Sequence, residues 1–402
     1  MRVVHINTFP YKATGQIMFQ VHNYLIESGE ESYVVWGRGR NPENENEYSI
    51  YDKAGMLIHG ICTRLFDITG FCSIRATKKL IKYLNSINPE IIHLHNVHGY
   101  YLNIKMLFEY IKKKNIKVVW TLHDCWPITG HCVYFDSIKC NRWKDGCFKC
   151  PQKHTYPVSM FLDRSKPNWR RKKELYDGID MTVVTVSEWL KTVVQASILK
   201  EKNIVAIPNG ISEKEYYKKE NDIKGKFGIE GKKLILGVAS EWTERKGLSD
   251  FEQLAELLPK DKYVVMVIGV TEEQKKKLSK NVIGLNRTNN KEELLEYYSA
   301  ADIYFNASVE ETMGMTTVEA LACGTLSIVY NATALPEVLN FDYRFIAEKR
   351  NVPQVAEMIE SLDWNNYQMY LQEMSIERYS LPKMQGEYLK VYKSMVMGGN
   401  KV

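Results

Sequence analysis

Apolar and polar residues alternate along this chain in blocks that are typical of a parallel α/β protein. The apolar run RVVHINTF at 2–9 predicts a first strand, and the helical spacing of apolar positions in IMFQVHNYLIESG predicts the helix that follows it. The same alternation continues, with strands predicted at 32–37, 89–99, 117–124 and 203–211, a strand followed by a helix at 181–190, and helices at about 73–87, 103–114 and 168–178. This β-α-β order implies parallel strands joined by right-handed crossovers.

A second β-α series of similar size begins at LILGVAS, residues 234–240, and runs to LSIVY at 326–330. A polar, lysine-rich stretch at 213–233 separates the two series and is typical of a domain boundary. The length of 402 residues also favours two domains over a single core. We therefore predict an N-terminal domain at 1–208, a C-terminal domain at 209–378 and a terminal helix at 379–402.

Charge and hydropathy limit the classes of protein to consider. The formal net charge is +6, which is compatible with phosphorylated ligands or an anionic lipid surface. The longest strongly apolar run, YVVMVIGV at 263–270, is far below the ~20 residues of a membrane span. No secretory signal is recognised at the N-terminus, so we expect a cytoplasmic protein, with the inner face of the plasma membrane as a candidate docking surface. Eight cysteines in that compartment are expected to be thiols or metal ligands.

The stretch VEETMGMTTVEALACG at 309–324 carries the clearest chemistry. It follows a predicted strand, and a helix is predicted to begin near Gly314. The free amides and the dipole at such a helix start attract an anion, and a glycine lets a phosphate approach the backbone. Glu319, inside the helix, is placed to accept hydrogen bonds from a ribose, and Glu311, before it, from other hydroxyls. The stretch therefore predicts a nucleotide site.

This stretch resembles the Glu-x7-Glu signature of the retaining glycosyltransferases of family 4, which adopt the GT-B fold of two Rossmann-like domains facing a central cleft. Met313 stands where the family usually has Phe. The resemblance extends over most of the chain and includes ATGQI (13–17), PEIIHLHNVHGYYLN (89–103), VVWTLHD (118–124), VVTVSEWL (183–190), IPNGI (207–211), GVASEWTERKGL (237–248) and the YS…YLKVY tail. In this family the last helix crosses back to the N-terminal domain.

The resemblance implies roles for individual residues. The catalytic candidates are His123 facing the donor sugar, Lys246 and Arg245 on the diphosphate, and Glu311 on sugar hydroxyls. The donor-binding candidates are Gly15 in a glycine-containing loop, Ser240 at the position of the family's arginine, Arg287 near the base, and Met313, Gly314, Met315, Thr316 and Glu319. The candidates for the acceptor cleft are Asn96, His98, Tyr100 and Trp126.

A cysteine-rich insert at 125–157 interrupts the β-α pattern. Cys132, Cys140, Cys147 and Cys150 have the spacing C-x7-C-x6-C-x2-C, and four thiolates are a standard tetrahedral zinc set. The insert resembles one found in members of the family that build bacterial surface polysaccharides. Two readings remain open, a structural zinc ion or reduced cysteines packed in a loop. His93, His95 and His98 are less indicative of a metal, because no carboxylate is paired with them in the sequence.

The combined prediction is a retaining hexosyltransferase that needs no catalytic metal. It would move sugar from a UDP- or GDP-linked donor to a glycan, a polyprenyl diphosphate or a cell-wall polymer in surface polysaccharide synthesis. The alternatives are a nucleotide-sugar epimerase, which needs no acceptor, and a zinc-module nucleic-acid binder, which the scattered basic residues disfavour. An oxidoreductase is disfavoured because no G-x-G-x-x-G follows the first strand. The run WRRKK at 169–173 is either a phospholipid contact or a solvated helix face.

Overall fold

The computed structural model describes residues 1–374 and 376–398. In it the chain forms two compact units, one made of residues 1–208 with the chain from Pro382 onward and one made of residues 209–381. Each unit contains one sheet, and every strand pair in both sheets is parallel. The predicted α/β class with two Rossmann-like sheets is confirmed.

The first unit is a seven-stranded sheet with helices between the strands. Its strands are β1 (Arg2–Asn7), β2 (Glu31–Trp36), β3 (Glu47–Ser49), β4 (Ile91–Leu94), β5 (Lys117–Leu122), β6 (Met181–Thr185) and β7 (Asn203–Ala206). Its helices are α1 (Lys12–Glu27), α2 (Lys53–Phe66), α3 (Ile74–Ile87), α4 (Ile104–Lys114), α5 (Ser165–Tyr176) and α6 (Glu188–Gln195). The strand order is β3-β2-β1-β4-β5-β6-β7, so the winding direction reverses between β1 and β4.

The second unit repeats this plan with six strands. Its strands are β8 (Lys233–Val238), β9 (Tyr263–Ile268), β10 (Val282–Leu285), β11 (Ile303–Asn306), β12 (Leu326–Tyr330) and β13 (Ile346–Ala347). Its helices are α7 (Ile223–Lys226), α8 (Leu248–Leu257), α9 (Glu272–Lys277), α10 (Lys291–Ala300), α11 (Met315–Ala322), α12 (Leu335–Val338), α13 (Val352–Glu360) and α14 (Tyr367–Glu373). The order β10-β9-β8-β11-β12-β13 places the reversal between β8 and β11.

The last helix, α15 (Leu381–Met397), packs from Pro382 onward on the first unit. The Tyr388 hydroxyl lies 2.8 Å from the Thr121 hydroxyl on β5, and the Tyr392 hydroxyl lies 2.7 Å from His93 Nδ1 on β4. Both tyrosines are fully buried, so the helix covers one face of the sheet.

The structure differs from the sequence prediction in two places. ATGQI at 13–17 is not a loop but part of α1, because Gly15 lets the helix run against the preceding chain: a Cβ there would lie 2.6 Å from the carbonyl carbon of Pro10. Helix α2 has no counterpart in the sequence prediction.

Among the described residues, no helix has both the length and the apolar composition needed to cross a bilayer.

Candidate active site

The candidate donor site lies at the carboxyl ends of β8 and β11. These two strands are neighbours in the second sheet, and the order in which strands are added to the sheet reverses between them. Open parallel sheets bind ligands at such a reversal. The loop after β8 carries Arg245 and Lys246, and the loop after β11 carries Glu311. The backbone joins the two loops, because the amide of Val309 donates to the carbonyl oxygen of Arg245 at 2.9 Å.

A hydrogen-bonded network fixes the loop that carries the two cations. The Asp250 carboxylate accepts one hydrogen bond from Arg350 Nη1 and one from the Tyr330 hydroxyl, each at 2.6 Å. Nη2 of Arg350 also donates to the carbonyl oxygen of Glu244 at 2.5 Å. Gly247, with φ of +74°, then turns the chain directly into α8. These contacts hold the backbone of Lys246 in place without using its ammonium group.

Glu311 connects the two loops through charge. Its carboxylate forms an ion pair with the Lys246 ammonium group and lies 3.6 Å from Arg245 Nη1. The Thr333 hydroxyl accepts from the Glu311 amide at 2.8 Å and contacts its carbonyl oxygen at 2.7 Å. Burial opposes ionisation of Glu311, but Lys246 and Arg245 outweigh it and hold its pKa below the usual value. The site therefore contains two cations and one carboxylate that is ionised at neutral pH.

Helix α11 begins at the same place. Gly314 precedes it with φ of +98°, a left-handed conformation that favours glycine, and a Cβ there would lie 2.6 Å from Leu335 Cδ2. The first intrahelical bond runs from Thr317 N to Gly314 O at 3.0 Å, so the amides of Met315 and Thr316 have no acceptor within the helix. An anion is favoured at this helix start.

Glu319 lies one turn further along α11 and is held by two tyrosines. The hydroxyl of Tyr298 donates to Oε2 at 3.0 Å and that of Tyr216 to Oε1 at 3.2 Å. Burial raises the pKa of Glu319, although both hydrogen bonds favour the charged form. Neither tyrosine was predicted, because α10 and the loop before α7 are far from Glu319 in sequence. The two adjacent tyrosines in LEYYSA, residues 295–300, were the only sequence feature that pointed to such a contact.

The other predicted donor-site residues occupy different environments. Ser240 and Arg287 are exposed on the loops that follow β8 and β10. Met315 and Thr316 are half-buried at the helix start. Met313 is buried, and the amide of Asn209 approaches its sulfur at 3.3 Å, so its side chain packs into the unit.

His123 follows β5 in the first unit and is held by a second histidine. Its Nε2 lies 3.2 Å from Nδ1 of His95, and the two rings stack with centroids 5.5 Å apart. Burial lowers the pKa of His123 to about 4, against the effect of Asp124. The ring is therefore neutral at pH 7 and suited to hydrogen bonding rather than to charge.

Asp124 does not pair with its sequence neighbour His123; it pairs with His98. Its Oδ2 lies 2.7 Å from His98 Nε2, and its Oδ1 accepts the amide of Trp126 at 2.9 Å. Nδ1 of His98 lies 3.1 Å from the hydroxyl of Tyr156 in the insert. Burial favours the neutral acid, but His98 outweighs it, and the pKa of Asp124 is lowered. This chain of Asp124, His98 and Tyr156 was not predicted.

The predicted acceptor residues lie near this chain but differ in exposure. Asn96 and Tyr100 are half-buried, and Tyr100 has a left-handed φ of +67°. Trp126 is 1% exposed, and the ammonium group of the buried Lys172 lies 3.2 Å from its ring centroid. The expectation that Trp126 lines an acceptor surface is therefore wrong. Its ring instead supports the loop that carries Asp124.

The four predicted metal-binding cysteines, Cys132, Cys140, Cys147 and Cys150, line one small cavity in the insert together with His131, Trp143 and Phe148. Cys132 and Cys147 are buried, and Cys140 and Cys150 are half-buried.

Comparison with known proteins gives two family matches that together cover most of the chain. The model described as Glycosyltransferase Family 4 matches residues 15–215, half of the chain. The model described as Glycosyl transferases group 1 matches residues 219–374, which include Lys246, Glu311 and Glu319.

Two relatives and one solved structure illustrate the range of similarity. WcaC of Escherichia coli (strain K12), which carries the name of a colanic acid biosynthesis glycosyl transferase, is 28% identical over 172 residues, 40% of this chain and 41% of that protein. Alpha-monoglucosyldiacylglycerol synthase of Acholeplasma laidlawii is 24% identical over 323 residues, 75% of this chain and 72% of that protein. The crystal structure of Anabaena Alr3699/HepE in complex with UDP-glucose has a TM-score of 0.66 at 12% identity, over 98% of this chain and all of that one. Sheet topology, site placement and family matches agree, and the chain belongs to the GT-B glycosyltransferases of group 1 and family 4.

Proposed function

We propose that this enzyme is a retaining hexosyltransferase that takes its sugar from a nucleotide diphosphate. The observation that carries the proposal is the cluster of Lys246, Arg245 and Glu311 beside the Gly314 helix start. Two cations and free amides suit a diphosphate, and a carboxylate beside them suits sugar hydroxyls. Glu319 with its two tyrosines is assigned to the ribose.

In the proposed reaction the bond between the anomeric carbon and the diphosphate oxygen breaks while the acceptor oxygen bonds to the same face of that carbon. The proton of the acceptor hydroxyl passes to the departing phosphate oxygen. Negative charge grows on the diphosphate, where Lys246, Arg245 and the helix amides stabilise it. These groups supply the charge that a divalent ion would otherwise provide, so the proposed chemistry uses none.

Both substrates are proposed from chemistry and from similarity. A UDP-sugar is the first donor to test, because the structurally similar HepE has been crystallised with UDP-glucose. The names of WcaC and of the diacylglycerol synthase support an acceptor that is a surface glycan or a lipid-linked sugar. We assign the acceptor to the carboxyl end of β4, the central strand of the first sheet, which Asn96, His98 and Tyr100 follow.

Thermal unfolding with nucleotide sugars tests the donor site. We expect UDP or a UDP-sugar to raise the melting temperature, since a ligand at ~100 times its Kd adds about 2.7 kcal/mol to the free energy of unfolding. GDP and GDP-sugars form the second arm of the panel, and AMP is the control for nonspecific nucleotide binding. If no nucleotide diphosphate or nucleotide sugar shifts the transition, the proposed function is wrong.

Product analysis separates the proposed transfer from the epimerase alternative. A transferase consumes the donor in proportion to the acceptor and forms a glycoside with the anomeric configuration of the donor. The anomeric proton coupling in the NMR spectrum of the product reports that configuration. An epimerase converts the donor with no acceptor present.

We also propose that the first unit docks on an anionic bilayer, where lipid-linked acceptors are found. Helix α2 exposes Leu57, Ile58 and Ile61, and Phe66 at its end is exposed as well. The exposed residues Met160, Phe161 and Leu162 of the insert lie beside this helix, because the amide of Met160 donates to the carbonyl oxygen of Arg64. We call these seven apolar residues the apolar patch. Arg64, an exposed residue of α2, supplies positive charge there.

This docking predicts that the double substitution Leu57→Glu with Ile61→Glu prevents binding to vesicles. The wild-type chain is expected to sediment with vesicles that contain anionic lipid and to remain in the supernatant with neutral vesicles or high salt. Ile26→Glu, a matched change at an exposed apolar position of α1, should bind as the wild type does. Equal sedimentation of all three proteins would contradict the assignment of the patch.

Of the predicted WRRKK contact, Arg170, Arg171 and Lys173 are exposed, but Trp169 and Lys172 are buried and cannot take part.

A further inference from the structure

The cysteine insert brings four sulfurs that are spread over 19 positions of the sequence to one cavity of the first unit. We propose that Cys132, Cys140, Cys147 and Cys150 bind one structural zinc ion as thiolates. The ion would fix the insert and, through it, the position of Tyr156 on His98.

Contacts among the sulfurs support a common ligand. The thiol of Cys132 hydrogen-bonds to the sulfur of Cys150. The amide of Gly130 donates to Cys147 Sγ at 3.2 Å, a contact that stabilises negative charge on sulfur. Backbone and side-chain hydrogen bonds of this kind orient the ligands of metal sites.

His131 borders the same cavity and strengthens the case for a built site. Its ring is 2% exposed, its Nδ1 lies 2.5 Å from Asp67 Oδ1, and its buried Nε2 has no hydrogen-bond partner in the structure. This nitrogen donates to a zinc-bound thiolate when the ring is doubly protonated, the form that the Asp67 carboxylate stabilises.

A rival metal site, His5 with His93 and His95, is less suited. Among the described residues this is the one group of three or more His, Cys, Asp or Glu side chains whose ligand atoms all lie within 4.8 Å of one another, so the four sulfurs must move closer together to bind zinc. The histidines are fully buried, and both nitrogens of His93 already face hydroxyls, those of Thr121 and Tyr392. The four cysteines instead line one cavity of the insert and form a standard tetrahedral zinc set.

The consequence for activity rests on the proposed function. The chain runs from Cys150 to Tyr156 within six residues, and the Cys150 amide is also held by Asp163 at 2.5 Å. Tyr156 then contacts His98, which pairs with Asp124. Loss of zinc is therefore expected to raise the acceptor KM and to leave the nucleotide-induced thermal shift unchanged, since that shift arises in the second unit.

Elemental analysis of the purified full-length chain tests the site directly. We expect one zinc per chain, and we expect a mercurial to release that zinc as it binds the four ligand thiolates. Cobalt(II) added to the demetallated chain should give the intense absorption of a tetrahedral thiolate site. Cys150→Ser should lower the zinc content severely, whereas Cys62→Ser, a thiol on α2 outside the insert, should leave it at one.

Two results would overturn the proposal. One is a wild-type chain without zinc that also fails to take up zinc or cobalt after reduction. The other is a chain whose four insert cysteines are joined as disulfides. If Cys150→Ser does not fold, Cys140→Ser at the other half-buried position replaces it, and the metal content of the wild type still decides. Zinc content is measured without substrate, so the zinc proposal is tested independently of the donor proposal.

Discussion

Replacing Glu311 by alanine is expected to abolish sugar transfer while the chain remains folded. In the structure the Glu311 carboxylate pairs with Lys246 and lies near Arg245, so it is positioned where the diphosphate and the sugar meet. When the donor binds, we expect the two cations to turn to the phosphates and the carboxylate to accept hydrogen bonds from the sugar hydroxyls. Without it the sugar is not held for attack, and misplacement of a reacting atom by ~1 Å costs about 10²-fold in rate.

The fold is expected to tolerate this change for two reasons. The backbone of Glu311 is held by the Thr333 hydroxyl, which the substitution leaves in place. The side chains of Lys246 and Arg245 are each 21% exposed, so water can solvate them when their partner is removed.

Initial rates and thermal unfolding measured on the same preparation check the prediction. Glu244→Ala is the matched control, because it removes an exposed acid from the loop that carries Lys246. Its turnover should equal that of the wild type. Unchanged turnover of Glu311→Ala would remove this residue from the site, and a large fall in melting temperature would assign it a structural role instead.

The sequence predicted the sheets well because their strands are buried on both faces. Runs such as VVMVI in β9 and LSIVY in β12 are almost continuously apolar, which is the pattern of a strand inside a parallel sheet. The glycine and the two acids of the Glu-x7-Glu stretch are local in sequence, so their placement around the start of α11 could also be predicted.

Helix α2 could not be predicted, because its apolar side is exposed and its more polar side is buried. Its buried positions are His59, Gly60 and Thr63, while Leu57, Ile58 and Ile61 are exposed. Apolar periodicity identifies a core-facing helix only when the apolar side faces the core. Here the same inversion that hid the helix supports the proposed membrane contact.

Contacts between residues that are distant in sequence could not be predicted either. Asp124 follows His123 directly, yet the end of β5 places its carboxylate on His98, after β4. Likewise, Asp250 and Arg350 are 100 residues apart and meet behind the Lys246 loop. Strand register and helix packing decide such contacts, and a single sequence does not specify either of them.

Replacing Lys246 by methionine is expected to lower kcat by about 10²- to 10³-fold, the usual loss when one donor to a developing anion is removed. Methionine keeps the length and the apolar stem of the side chain but removes the charge. The leaving diphosphate gains negative charge as the sugar bond breaks, so the ammonium group contributes more to the transition state than to the bound donor. The fall in kcat should therefore exceed the rise in donor KM.

Arg245 limits the loss of donor affinity in this variant. Its guanidinium group contacts the carbonyl oxygen of Glu310 and lies 3.6 Å from Glu311, so one cation remains at the site. The loop itself should hold its shape, because Arg350, Asp250 and Tyr330 fix it through groups other than the Lys246 ammonium.

Steady-state kinetics with donor and acceptor varied separately measure this effect, with Lys276→Met, at an exposed position of α9, as the matched control. The control should retain wild-type kcat and KM. If Lys246→Met raises donor KM with no change in kcat, the lysine only binds the donor. If neither constant changes, the diphosphate lies elsewhere in the second unit, and the cluster around Glu311 is a structural ion pair.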